Sequence, residues 1–242
     1  TSDTGTVTFD GTSGTKTITS NSTIFNNLTF NDGGGSATFQ PTDALTTKAD
    51  FILTDGIIDL ATADQDVLLG DDAGTSYVTF NGGNILPGAT SDFILNDNPT
   101  EFTDNVGITL GHIVVGQSPA NTNWGSNQSG TSLLVSSGDT LNTRGYDGDF
   151  GTGGISIAGT LNATDTVAGN GTILTTEGDF TISGSGNYTK DVTAGKRSLV
   201  KFDGGTSKNF TSLSRDMGDV QTSVSSTNIT LVGSLNADNI TI

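Results

Sequence analysis

The chain has no cysteine, four prolines, one histidine, one tryptophan and only nine basic residues in 242 positions. Without cysteine there is no disulfide, no thiolate nucleophile and no cysteine metal site, and the redox compartment stays open. A single histidine cannot build a zinc site, which takes several nitrogen or sulfur ligands. Nine basic residues against 26 acidic ones give a formal charge of −17, which repels nucleic acid and anionic membranes. No apolar run reaches membrane length and no targeting peptide is visible, so neither nucleic-acid binding nor membrane insertion is expected. No stretch shows the period of an ordinary helix.

What the chain does have is glycine, 34 of them, and echoes. Val7-Thr8-Phe9-Asp10-Gly11 returns as Val78-Thr79-Phe80-Asn81-Gly82 and as Val200-Lys201-Phe202-Asp203-Gly204. A second family joins Asp50-Phe51-Ile52-Leu53, Asp92-Phe93-Ile94-Leu95 and Asp179-Phe180-Thr181-Ile182; a third matches Ile157–Ala163 to Leu231–Ala237. Phe9 and Phe80 lie 71 residues apart, Leu161 and Leu235 74 apart, Leu141 and Leu161 20 apart. These offsets predict coils of roughly 20 to 25 residues, three to a longer unit, in the range of solenoid repeats.

Runs such as Thr6-Val7-Thr8-Phe9, Asn27-Leu28-Thr29-Phe30 and Asn239-Ile240-Thr241-Ile242 alternate polar and apolar residues, the period of a half-buried strand. Hydrophobic residues make up only 32% of the chain, below the ~45–50% of ordinary domains, a range that also counts glycine, yet they fall in strand-length runs. Phe9, Phe30, Phe51, Phe80, Phe93, Phe180 and Phe202 are the expected core columns, and Asn81 and Asn162 the expected turn ladders. Gly, Asn, Asp and Pro crowd residues 96–106, 116–131 and 143–153, which read as protruding loops. The chain reads as one elongated domain over 1–242, with a subdivision conceivable near 116–131; the fold alternative is a tandem of antiparallel β-sandwiches. It opens on Thr1 rather than Met and closes on Ile240-Thr241-Ile242 in mid-strand pattern. The expectation is a segment cut from something longer, or a last strand, Asn239 to Ile242, that pairs with another molecule.

The text Thr6-Val7-Thr8-Phe9-Asp10-Gly11-Thr12-Ser13-Gly14-Thr15-Lys16-Thr17-Ile18-Thr19, then Phe25-Asn26-Asn27-Leu28-Thr29-Phe30 and Ala44 to Leu60, resembles the Gly/Thr/Asn-rich repeats of large bacterial surface proteins. These are adhesin-like and autotransporter-passenger-like β-solenoids. The resemblance implies a right-handed parallel β-helix, displayed at the cell surface or outside the cell, acting as stalk, adhesin or filament subunit.

Candidate chemistry is sparse. Carboxylates gather at Asp64 and Asp66 with Asp71 and Asp72, at Asp97, Glu101 and Asp104, at Asp147 and Asp149, and at Asp216 and Asp219. A catalytic solenoid needs paired carboxylates with a basic residue on one face; the nearest pairings by sequence are Arg144 with Asp147 and Asp149, and Arg215 with Asp216. Asp147-Gly148-Asp149 offers hard oxygens in a tight turn, the germ of a structural calcium clip, though the full calcium-loop patterns are missing. Otherwise no cofactor is expected. His112 lies in a strand-like run with no evident nucleophile beside it. Trp124, in a polar stretch, is the candidate platform for a surface glycan. Nine sequons, at Asn21, Asn27, Asn127, Asn162, Asn170, Asn187, Asn209, Asn228 and Asn239, are glycan acceptors wherever a host glycosylates and they face outward. The reading is a non-enzymatic extracellular structural or adhesive module that associates with copies of itself. The alternatives are a glycan-binding stalk, a polysaccharide-active enzyme and, on its Thr-x-Thr pairs, an ice-binding surface.

Overall fold

The structure, a computed structural model, describes residues 5–70, 74–97, 100–116, 119–225 and 227–242. Among these there is no helix, and the strands stack in parallel as a β-solenoid of about 10 turns. Strand pairing is parallel throughout the stack, which sets aside the antiparallel sandwiches. Partners on neighbouring coils lie 19 residues apart at Asn123 and Asn142 and 27 apart at Asp50 and Tyr77.

Three sheets wrap the core. Sheet A runs through nine strands from Thr6–Asp10 to Asn187–Lys190, and sheet B through four, from Ser13–Ile18 to Asn84–Leu86. Sheet C has fourteen strands, beginning with Ile24–Phe25. In the middle coils the corner between B and C flattens, so Thr109–Val115, Gln128–Val135 and Gly148–Ile157 each cross both faces as one long strand. Glycine makes this possible. A Cβ on Gly111 would lie 2.9 Å from the Ser91 carbonyl oxygen, and one on Gly130 2.9 Å from that of Gly111. Past Ile157 the corner reopens, with Ile173–Thr176 and Phe180–Ile182 pairing to the two ends of the same strand.

Alternation explains which side chains face in. Leu28, Phe30, Phe51, Leu53, Val78 and Phe80 are fully buried on successive strands of sheet A, and each such burial contributes about 1.5–3 kcal/mol. Of the seven expected core phenylalanines, Phe30, Phe51, Phe80, Phe93, Phe180 and Phe202 are buried and Phe9 is partly buried against them. The 71-residue echo is three coils, since Phe9 stacks on Phe30, Phe30 on Leu53 and Leu53 on Phe80. The 20-residue echo is one coil, Leu141 on Leu161.

The expected loops are corrected. Strands Thr100–Asp104, Asn121–Trp124 and the start of Gly148–Ile157 run through them, and the ladders continue across 116–131. Their inward residues include Phe102, Trp124 and Phe150 together with the buried Thr100 and Thr122, while Glu101, Thr103 and Asn121 face out.

The corners explain the acidity. A coil leaving sheet A turns sharply and strands several backbone N–H groups, which a buried carboxylate can collect. Asp32 accepts from Gly34, Gly35 and Ala37, each at 3.0 Å. Asp104 accepts from Val106, Gly107 and Ile108 at 2.9, 2.8 and 2.5 Å, and Asp165 from Gly169 and Gly171 at 2.8 and 3.0 Å.

Candidate functional site

Trp124 is not a platform. It is fully buried, its ring 6.4 Å from that of Phe150, and Gly148 lies under it so closely that a Cβ there would sit 2.9 Å from the indole. Of the polar neighbours that suggested a loop, Asn121 and Asn123 are the outward residues of a strand and Thr122 is turned inward and buried. A stacked sugar needs an exposed ring, so the glycan assignment to this residue is withdrawn.

The acidic groups disperse to separate tasks. Asp97 receives the Ser76 hydroxyl, Asp104 caps its corner, and Glu101 faces out from sheet A. Asp64 staples the next coil through Thr90 and Ser91, at 2.9, 2.6 and 3.2 Å, while Asp71 and Asp72 lie outside the described residues. Asp147 and Asp149 flank the inward Gly148; Asp147 accepts the Ile173 N–H at 2.8 Å, and its partial burial raises its pKa. Among the described residues no three acidic or histidine side chains gather as a metal site would require. The expected arginine pairings do not form either. Arg144 turns to Glu101, Arg215 donates to the Gly186 carbonyl, and Asp216 pairs with Lys190 at 2.8 Å.

His112 faces outward on sheet C. Its Nδ1 lies 2.6 Å from Ser132 Oγ and its Nε2 3.4 Å from the Ala89 carbonyl oxygen. Asp92 occupies the paired position on the strand before, but no ion pair joins it to the imidazole. A serine triad needs its carboxylate on the second ring nitrogen, so these three residues lack that geometry.

The outer face of sheet A carries a polar ladder that the sequence reading reached only at Asn162. Tyr77, Glu101, Asn123, Asn142 and Asn162 occupy one outward column on five successive strands. Their side chains bond along it: Asn123 Nδ2 to Glu101 Oε1 at 2.9 Å, Asn142 Nδ2 to Asn123 Oδ1 at 2.9 Å, Asn162 Nδ2 to Asn142 Oδ1 at 2.8 Å. Tyr77 heads the column half exposed, at 52%. The expected turn ladder forms at Asn81, to which Asn105 donates at 2.9 Å, whereas Asn162 lies in the strand Thr160–Ala163 and not at a turn.

The two ends of the described stack differ. At one, Ile229–Leu231 and Asn239–Thr241 each have a single partner strand among the described residues. Leu231, Val232, Ile240 and Ile242 are 49, 49, 57 and 98% exposed there, and Phe210, Val220, Leu231, Leu235, Ile240 and Ile242 line a groove of about 340 Å³. At the other end Lys16 fills the core-facing position paired to Phe39 and is exposed. An inward charge is one way a sheet edge resists adding strands. Beside the first end, two corner loops of the same five residue types, Asp165-Thr-Val-Ala-Gly169 and Asp191-Val-Thr-Ala-Gly195, stack by Asp165 N–H to Asp191 Oδ2 at 2.6 Å. That repeat was in the sequence, 26 residues apart, and went unread because its middle order is swapped.

Of the sequon asparagines, Asn21, Asn127, Asn170, Asn209, Asn228 and Asn239 are exposed, while Asn27, Asn162 and Asn187 are partly buried. Asn162, Asn209 and Asn239 spend their amide nitrogens on Asn142, Asp179 and Asp219. Comparison of the chain with family models, with curated proteins and with solved structures gives no match.

Proposed function

We propose that this chain is a non-enzymatic structural module, displayed at a cell surface, whose solenoid stacks end to end with copies of itself into a filament. The observation that carries the reading is the strand Asn239–Thr241, paired on one side among the described residues, with Ile240 and Ile242 more than half exposed beside an apolar groove. Unpaired backbone groups and apolar side chains together form a template for another parallel strand. Ile24, 50% exposed, and the partly buried Phe25, on the first strand of sheet C, supply apolar partners at the opposite end. Lys16, the inward charge of sheet B at that end, opposes strand addition there, so the contact forms on sheet C.

Sedimentation velocity and electron microscopy of the full chain, and of a chain ending at Ala237, test this. Concentration-dependent head-to-tail rods lost on truncation are expected; end-on contacts that survive truncation, or single rods at all concentrations, overturn the reading.

A second reading is favoured by Tyr77 and the ladder below it, a half-exposed aromatic beside amides and a carboxylate along a flat face. These are the groups that stack on and hydrogen-bond to an extended glycan. A glycan array with the Tyr77→Ala chain as comparison checks it, and equal signals from both chains would remove it.

A further inference from the structure

Sheet C carries an outward stripe that a water-facing column does not need. Leu68, Ile94, Val114 and Leu134 stand in register on four successive strands, all pointing away from the core. The same column is Thr46 before them and Ser156, Thr181 and Thr211 after them. Two positions earlier on these strands lie Asp66, Asp92, His112 and Ser132. Asp66 takes the Asp92 N–H at 2.9 Å; the Asp92 carboxylate has no hydrogen bond of its own among the described residues, and burial together with the charge of Asp66 raises its pKa against the opposing pull of His112 on the next strand. A partly desolvated carboxylate with no hydrogen bond, beside four branched apolar side chains, is a surface prepared for a partner.

We propose that a second copy of this chain covers the stripe, face to face, about a two-fold axis parallel to the strands and midway between Ile94 and Val114. That operation keeps position along the strand and reverses the order of the coils. Leu68 then meets Leu134 of the second copy, Ile94 meets Val114, and Asp92 meets His112, with each contact made twice. A two-fold axis along the stack would instead set the Asp66–Ser132 column against Asn96, Gly116 and Ser136, placing Asn96 rather than His112 of the second copy opposite Asp92. Charge complementarity therefore selects the occupant and its direction. The stripe alone is narrower than the ~800 Å² per partner of a standard interface. The contact extends onto the flattened strands beside it, where Gly151 and Gly153 carry no side chains. Small interfaces of this kind are weak and exchange quickly. This lateral contact is independent of stacking at the ends.

Sedimentation velocity of the full chain, of the chain ending at Ala237 and of surface variants tests the contact. Side-by-side dimers at high concentration are expected to survive the truncation and to weaken by about tenfold or more in Val114→Lys. Ile52→Lys, an outward position on sheet A, is expected to leave them unchanged. His112→Asp should weaken the dimer, and adding Asp92→His should restore it, with far-UV circular dichroism showing that each variant is folded. Dimers indifferent to Val114→Lys, a double swap that stays as weak as His112→Asp, or association abolished wholly by the truncation would overturn the proposal; the last would leave end-on stacking standing.

Discussion

The guanidinium of Arg144 donates to both oxygens of Glu101, at 2.8 and 3.0 Å, from a position 43 residues and two coils away. The pair spans the strand that carries Asn123, whose amide donates to the same carboxylate. Arg144 holds a left-handed backbone, φ 58°, at the corner that follows the strand Thr140–Asn142. Its side chain and that of Glu101 are 29 and 24% exposed, so solvent screens the pair only in part. A double-mutant cycle with Glu101→Gln and Arg144→Gln is expected to give a coupling of about 0.5–1 kcal/mol, reduced at high salt. Arg144→Lys should recover little of it, because an ammonium cannot reproduce the two-pronged contact. No measurable coupling at low salt would show the fork to be ornamental.

Acid should loosen the corners before the sheets. Asp165 is almost wholly buried. Burial pushes its pKa up, but the N–H groups of Gly169 and Gly171 and the ammonium of Lys196 outweigh that and hold it below the ordinary value. Asp32 behaves alike: burial raises, and the N–H groups of Ala37, Gly35 and Gly34 lower further, for a net depression. A carboxyl whose folded pKa lies below its unfolded one stabilises the fold above the unfolded value, near 3.8, and loses that contribution as pH falls through the folded value. Melting temperature should therefore vary little from neutral pH down to about pH 5 and fall steeply below about pH 4. Asp165→Asn, which can accept on only one oxygen, should melt lower than the parent at neutral pH and converge with it in acid. Parallel curves across the whole range would refute this role for the carboxylate.

The stack was legible because inward columns of Phe, Leu, Ile and Val impose period two, and because Phe9, Phe80, Leu141 and Leu161 repeat at whole numbers of coils. Sheet assignment was not legible. Asp50-Phe51-Ile52-Leu53 lies in sheet A, whereas Asp92-Phe93-Ile94-Leu95 lies in sheet C. The two phrases spell the same strand, and only the corners decide which wall it joins. Trp124 was misplaced because Asn121, Thr122 and Asn123 look like loop residues. Thr122 and Asn123 are in fact buried, and a parallel strand draws its hydrogen bonds from neighbours about 20 residues away, which local composition does not register. The outward stripe was hidden for a related reason, since Leu68, Ile94, Val114 and Leu134 align only once coil lengths are known.

Asp147 lies on a strand edge where burial raises its pKa against the opposing N–H bond from Ile173. The sign is opposite to that of Asp165: the folded state prefers the protonated form, and this preference fades as pH rises through the folded value. Asp147→Asn keeps an oxygen for Ile173 and removes a poorly solvated charge. It should stabilise the protein at pH 7 by less than about 1 kcal/mol, with the gain vanishing near pH 3. Repeating the melts with millimolar calcium tests the clip directly. A calcium-dependent rise in the parent that is absent in Asp147→Asn would assign the ion here, and equal rises in both would place it elsewhere.

Trp124 offers the sharpest internal probe, being the single tryptophan of the chain and fully buried. Its emission should be blue-shifted, resistant to acrylamide until the chain unfolds, and unchanged by added saccharides. Its indole N–H, buried without a hydrogen-bond partner, makes a further distinction. Trp124→Ala leaves a large cavity against Phe150 and should cost about 3–5 kcal/mol. Trp124→Phe also loses contact area, but it removes a donor whose desolvation costs about 1–3 kcal/mol when unpaired. The Phe variant should therefore lose no more than about 1–2 kcal/mol, less than the change in ring size alone would take from a packed core. If denaturant titration instead shows Trp124→Phe to be as damaging as Trp124→Ala, the N–H must be satisfied in solution, and the interior beside Phe150 must hold a polar partner for it.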